Sequence, residues 1–256
     1  MSTEFSLPFE PASCDACRDL SALGFGFTMA FQPIVDVRTG RPYAYEALVR
    51  GEQGQGAGYI LSQVNDANRY RFDQACRVKA IELAAQLGLH HLDNCKLSIN
   101  FLPNAVYRPA SCIRATLEAA KRFAFPANRL MFEVTEGEKI SDASHLINIF
   151  NEYRRQGFTT AIDDFGSGYS GLNLLATFQP QVLKIDMELT RDIDQNQVKK
   201  AIVSGVLLVA QQLEITIIAE GIETEAEANT LHQMGVNYMQ GYWFARPELA
   251  ALPLAN

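Results

Sequence analysis

The sequence predicts an α/β fold of barrel size in which every strand but one is parallel to its neighbours. Six short apolar, β-branched runs alternate with helical segments, the rhythm that forces a parallel sheet with helices packed outside it. Two earlier runs are joined only by Arg38-Thr39-Gly40-Arg41-Pro42, a link too short for anything but an antiparallel hairpin. Eight strands in 256 residues is the element count of a closed β/α barrel, although an open doubly wound sheet satisfies the same alternation.

Residues 1–27 read as an N-terminal extension or linker, with Pro8, Pro11, Gly24 and Gly26 and a short helix near 12–22; residues 28–256 read as one domain. Strands are expected at 28–37, 43–50, 96–101, 130–135, 159–165, 181–186, 215–220 and 236–240. A long helix covers 62–88, with Phe72, Cys76, Ala80, Leu83, Ala84 and Leu87 on one face and Gly88 as its stop. Further helices fall near 111–123, 143–156, 170–177, 196–213 and 224–234. Ser141 or Asp142 would cap the helix at 143, and Thr224 the last one, with Glu227 as its capping-box partner.

Lys and Arg total 22 against 29 Asp and Glu, a formal charge of -7, which argues against a protein that coats polymeric nucleic acid or an anionic membrane. An anionic small ligand stays open, because a few cations inside one cleft reverse the local field. No stretch approaches the roughly 20 apolar residues of a membrane span, and the N-terminus lacks a signal-peptide pattern; a cytoplasmic location is expected. Five cysteines, an odd number, suit a reducing compartment. Cys14 and Cys17 form a C-x-x-C, but no second Cys/His pair stands at zinc-ligand spacing.

The strands carry polar residues at or near their C-terminal ends: Glu46, Asn100, Glu133, Asp163 with Asp164, Lys184 with Asp186, Glu220 and Gln240. Any one of them could simply mark where a strand meets solvent. Seven strands doing so together, mostly with carboxylates, would gather them at one mouth of a barrel. Such groups repel one another unless cations sit among them, and oxygen ligands with one amide suit Mg²⁺ or Mn²⁺ better than zinc. The four histidines lie away from these ends, so histidine chemistry is not indicated. A competing motif, Gly166-Ser-Gly168-Tyr-Ser-Gly171 followed by Asp186, fits a dinucleotide-binding fingerprint. Asp163 and Asp164 just ahead of it would repel a pyrophosphate.

Taken together, Glu46-Ala47-Leu48, SINF, FEVTE, DDFGSGYS, LKID, AEGIET and QGY occur in the order of a known family, and the chain resembles the EAL-domain cyclic di-GMP phosphodiesterases from FQPIV to QGYWFARP. The resemblance implies a TIM-like (β/α)8 barrel with one antiparallel strand, and hydrolysis of cyclic di-GMP to linear 5'-pGpG using two divalent ions, Mg²⁺ or Mn²⁺. It implies Glu46, Asn100, Glu133 and Asp163 as ligands of one ion. Asp163 would bridge to a second ion held with Asp164, and Glu220 and Gln240 would complete the metal and water shell. Lys184 resembles the family's catalytic lysine, acting beside Glu220 to accept a proton from the attacking water or hold it in line. A base role requires nearby cations to depress its pKa.

On the substrate side the resemblance implies Gln32 near a guanine, Leu48 and Arg50 against the ligand, with Arg50 on phosphate, and Gln240 in reach of it. Glu136 is similar to the glutamate that steadies the glycine loop after Asp164, and Glu223 to one near the family's dimer contact. Ser167 and Gly51 depart from the threonine and tryptophan frequent in the family. NFLPNAVYRP and GLNLLATFQP are similar to members attached to blue-light flavin sensors, so an upstream sensor domain, absent from this chain, is an expected partner, as is a second copy in a homodimer. The alternative is a catalytically weak or inactive module that binds cyclic di-GMP and acts through a protein partner; the presence of every ligand position and the lysine favours the enzyme.

Overall fold

The computed structural model describes residues 23–136, 143–168 and 171–254. The opening hairpin pairs β1 (Thr28–Asp36) antiparallel with β2 (Arg41–Arg50) through a turn in which Thr39 and Gly40 donate to the carbonyl of Asp36. Gly40 takes φ +69° there, a conformation that costs glycine nothing. The alternation then runs through β3 (Lys96–Asn100), β4 (Leu130–Thr135), β5 (Thr159–Phe165), β6 (Val182–Ile185), β7 (Thr216–Ala219) and β8 (Tyr238–Met239), each parallel to the one before. β1 also pairs antiparallel with β8, so the ring closes as an eight-stranded barrel, and the open sheet is excluded. A two-residue β9 (Glu248–Leu249), too short to leave a pattern in the sequence, adds to the side of β1.

Nine helices among the described residues surround the ring: α1 (Ala57–Leu61), α2 (Arg69–Gln86), α3 (Pro109–Cys112), α4 (Arg114–Arg122), α5 (Ala143–Arg155), α6 (Gly171–Thr177), α7 (Met187–Thr190), α8 (Gln197–Gln212) and α9 (Glu225–Gln233). The helix expected from residue 62 starts at Arg69. Ahead of it the Asn65 backbone N–H donates to the Asn68 side chain, and Ala67 N–H to that of Asn65, holding the segment in turns. Its inner face is Phe72, Cys76, Ala80 and Ala84, while Leu87 lies past the last turn and is 36% exposed. Thr224 and Glu227 form the expected capping box on α9. The expected helix at 12–22 and the caps at Ser141 or Asp142 lie outside the described residues.

Strand periodicity sorts the core into two layers. Met29, Phe31, Tyr45, Leu97, Ile99, Phe132, Ile162 and Leu183 point outward to pack with helix residues such as Ile81, Phe150 and Tyr153. Phe25 and Phe27, ahead of β1, rest on Phe72 with ring centroids 6.2 and 5.7 Å away. Inside the barrel sits a separate apolar plug of Ile34, Ala44, Met131, Ala161, Val182 and Ile218, flanked by Tyr43 and Tyr238. Among the described residues no helix is long and apolar enough to cross a membrane, and Cys76, Cys95 and Cys112 are free and buried.

Candidate active site

Two residues beyond the apolar plug on six of the parallel strands, the inward positions turn polar: Ala44 gives way to Glu46, Met131 to Glu133, Ala161 to Asp163, Val182 to Lys184, Ile218 to Glu220, and Tyr238 to Gln240. β1 joins the same layer from the opposite direction, because its register sets Ile34 against Ala44 and Gln32 against Glu46. A step of two along a strand keeps the face, so the plug is the floor on which this ring stands. Glu46, Glu133, Asp163, Lys184, Gln32 and Gln240 are buried; Asn100, Asp164 and Glu220 are half-buried.

Lys184 is the hub. Its Nζ lies 2.9 Å from Glu133 Oε2, 2.9 Å from Asp163 Oδ1, 2.8 Å from Glu220 Oε1 and 3.5 Å from Glu46 Oε2. Glu46 is held at both oxygens: Asn100 Nδ2 donates to Oε1 at 2.8 Å, and Gln240 Nε2 to Oε2 at 2.8 Å. Gln240 Nε2 also donates to Gln32 Oε1, and Gln32 Nε2 donates to the carbonyl of Ala245, which fixes both amides.

The charges do not balance. Burial pushes the Glu133 carboxyl up to about 8, with Lys184 opposing and Glu46 and Asp163 adding to the rise. Burial and the adjacent Asp163 bring Asp164 to about 6, and burial with Asp163 raises Glu220 well above the ordinary carboxylate range. Burial disfavours the Lys184 ammonium, yet Asp163, Glu133, Glu220 and Glu46 more than offset it and raise its pKa. The protein's own field therefore drives Lys184 away from a general base.

Strand alternation alone would point Asp164 away from Asp163. Instead it adopts φ +56°, where the β5–β6 register is interrupted between Ile162 and Phe165. This turns its carboxylate toward Asp163 and Glu220, and the three form one oxygen cluster; Glu46, Glu133 and Asp163 form another, sharing Asp163. Glu133 Oε1 is buried without a hydrogen-bond partner. Oxygen-only donors, an orphaned carboxylate oxygen and one lysine among five carboxylates fit a pair of hard divalent cations.

The remaining sequence-selected residues lie in several places around this ring. Glu136 accepts the backbone N–H of Gly166 at 2.8 Å and of Gly171 at 2.7 Å, and a side chain at Gly168 would press on its carboxylate. Amides that a dinucleotide fingerprint would offer to a pyrophosphate are thus taken by the chain's own carboxylate, which removes the fingerprint reading. Glu223 is exposed and pairs with Arg191 at 2.7 Å. Gln32, Asp164, Asp186, Glu220, Glu223 and Gln240 line a cleft of about 260 Å³ over the ring. Leu48 instead lines an apolar cavity of about 320 Å³ that shares Asn100 with the site. Arg50 is half-buried and donates to the carbonyl of Val49, with no contact to the carboxylate ring among its hydrogen bonds and ion pairs. The space above Gly51 is filled by the side chain of Gln55. Sequence reading missed Thr190, whose hydroxyl donates to the carbonyl of Glu220 at 2.5 Å; a threonine on an unpredicted four-residue helix carries no signal of that contact.

Comparison with known proteins agrees with this geometry. A structure of a standalone EAL protein from Vibrio cholerae O395 in a c-di-GMP-bound form superposes with a TM-score of 0.88 at 54% identity, covering 92% of this chain and 98% of that one. Klebsiella pneumoniae BlrP1, solved as a manganese and cyclic di-GMP complex, superposes at 0.82 with 36% identity, over 89% of this chain and 57% of that one. Two curated relatives are each 30% identical over 88% of this chain: the cyclic di-GMP phosphodiesterase PA2567 of Pseudomonas aeruginosa and the blue light- and temperature-regulated antirepressor BluF of Escherichia coli K12. The chain spans 39% of the length of the former and 55% of the latter. A family model for the EAL domain matches residues 18–247, and the chain belongs to that family.

Proposed function

We propose that the chain is a cyclic di-GMP phosphodiesterase that opens one ring phosphodiester to give linear 5'-pGpG, with two divalent cations, Mg²⁺ or Mn²⁺, at the barrel mouth. The observation that carries this reading is the pair of oxygen clusters joined through Asp163 around one lysine. Glu46, Asn100, Glu133 and Asp163 would hold one cation, and Asp163, Asp164 and Glu220 the other. Bound there, the pair supplies activation of water and offsets the charge that develops on the phosphoryl group.

The protein's own contribution is positioning. Asn100 and Gln240 each donate to one oxygen of Glu46, which sets the orientation of its carboxylate. Lys184 Nζ, central to the ring, orients the attacking water; cations on the surrounding carboxylates would cancel the field that keeps it an ammonium, the condition for it to take up a proton. Gln32, Gln240, Glu223 and Arg191 all line the cleft, giving the substrate a polar rim. Glu136 steadies the Gly166–Gly171 loop through its two amide contacts, and Leu48 and Arg50 lie at the β2 end, where the rest of the ligand would extend. The apolar residues exposed along α8, Val198, Ile202 and Leu208, supply a surface on which a homodimer could form.

The test is incubation of purified protein with cyclic di-GMP and Mg²⁺, Mn²⁺ or a chelator, with products resolved by chromatography. Formation of 5'-pGpG with metal and none with chelator is expected. A second reading, a binding module acting through a partner, is favoured by the antirepressor BluF among the relatives. Tight cyclic di-GMP binding without product under either metal would establish it instead.

A further inference from the structure

Glu220 stands one residue beyond the end of β7, where its N–H still bonds Ile185 O at 3.0 Å but the strand ladder stops. Its carbonyl has no ladder partner and is met instead by the Thr190 hydroxyl at 2.5 Å. Thr190, the last residue of α7, is completely buried. On the other side of Glu220, Gly221 holds φ +69°, and any side chain there would collide with Met187, the first residue of α7. The main chain around Glu220 is thus shaped by α7 at both ends, while its side chain reaches Lys184 and clusters with Asp163 and Asp164.

Neighbouring ties join the same two loops. Arg191 pairs with Glu223, and Glu227 Oε1 accepts from Asp192 N at 2.8 Å while its Oε2 accepts from Glu223 N and Thr224 N. Those contacts lock the loops to each other, whereas the Thr190 hydroxyl acts on the Glu220 peptide itself. We propose that Thr190 is a positioning residue for the second cation: its hydroxyl sets the Glu220 peptide, and through it the Glu220 carboxylate, against Asp163 and Asp164. The inference rests on the two-cation reading of the site.

Valine has the shape of threonine without the hydroxyl, so Thr190→Val removes the bond and keeps the packing, while Thr190→Ser keeps the bond and removes the methyl group. Calorimetric titration of Mn²⁺ into the protein without substrate, with thermal melts to verify folding, reads the effect directly. Thr190→Val is expected to weaken one of two Mn²⁺ sites by about three- to tenfold, the scale of one hydrogen bond to a buried carbonyl. It should raise the Mn²⁺ needed for half-maximal turnover in proportion and leave kcat at saturating Mn²⁺ near wild type. Thr190→Ser should bind Mn²⁺ as the wild type does, and Thr190→Ala should repeat the loss seen with valine. Unchanged Mn²⁺ affinity in Thr190→Val, or equal impairment in Thr190→Ser, would overturn the role of the hydroxyl. Wild-type protein that takes up no Mn²⁺ would overturn the two-cation reading and this inference with it.

Discussion

Two groups of buried charges lie on opposite sides of the barrel wall, and they are composed differently. Outside the barrel, Asp73 and Arg77 on α2 pair one to one at 2.8 Å. The guanidinium donates to the Tyr153 hydroxyl at 2.6 Å and rests against the rings of Phe101, Phe132 and Tyr153, while Asp73 Oδ1 accepts the backbone N–H of Leu102 at 2.9 Å. Burial raises the Asp73 pKa and Arg77 pulls it back. Inside, Lys184 faces four carboxylates, with Asp164 a fifth nearby. The outer pair balances its charge within the protein, although Arg77 Nε is buried without a hydrogen-bond acceptor. The inner group is short of positive charge, and that deficit, rather than burial or pKa shift alone, separates the proposed cation site from a structural ion pair.

The strongest way to break this comparison is to remove one charged partner from each group. Lys184→Ala is expected to cut turnover by about 10²- to 10⁴-fold, the scale of a positioned proton-transfer group, while cyclic di-GMP still binds; full activity would sink the assignment. Removing one member of the balanced pair acts on stability instead. Asp73→Ala leaves Arg77 buried and uncompensated and should cost about 3–5 kcal/mol in denaturant unfolding. The double substitution Asp73→Leu with Arg77→Met should lie well above that single variant, and equal losses would show that the pair is not the source.

Removing a negative charge from the inner group should do the reverse. Glu133→Gln eliminates a carboxylate that burial opposes, so the metal-free protein is expected to melt at or slightly above the wild-type temperature, by about 1 kcal/mol or less, while losing Mn²⁺ uptake. A large fall in melting temperature would mean that the ring is self-sufficient. The same carboxylates set the pH dependence. Glu133, at about 8, and Glu220 hold protons in the folded chain that the unfolded chain releases near its ordinary value, so the native state binds more protons across this window. Stability of the metal-free protein should therefore decline from about pH 5 to pH 8 by this linkage, and Mn²⁺ should restore it at the upper end. A melting temperature that rises over that range would contradict the sign.

Much of the architecture was legible because its signals are local. A hairpin link of five residues dictates antiparallel pairing, and alternation of strands with helices dictates the rest. The polar ring was legible for the same reason, since Glu46, Glu133, Asp163, Lys184, Glu220 and Gln240 each end an apolar run at the inward-facing phase of a strand. Helix limits were less so: the turns built by Asn65 and Asn68 delay α2 to Arg69, a competition between side-chain and helical hydrogen bonds that periodicity does not register.

By itself the sequence determined which residues could face one mouth, because a period of two along a strand is a property of the chain alone. Tertiary structure decided what those residues do to one another. Ring closure through β1 and β8 brings Gln32 beside Gln240, 208 positions away, and Lys184 among carboxylates from four other strand ends. The left-handed backbone of Asp164 overrides alternation at the one point where two successive carboxylates are needed together. The Thr190 hydroxyl meets the Glu220 carbonyl for the same reason: contacts between separate loops depend on how the strands are stacked around the ring, and no local pattern carries that distance.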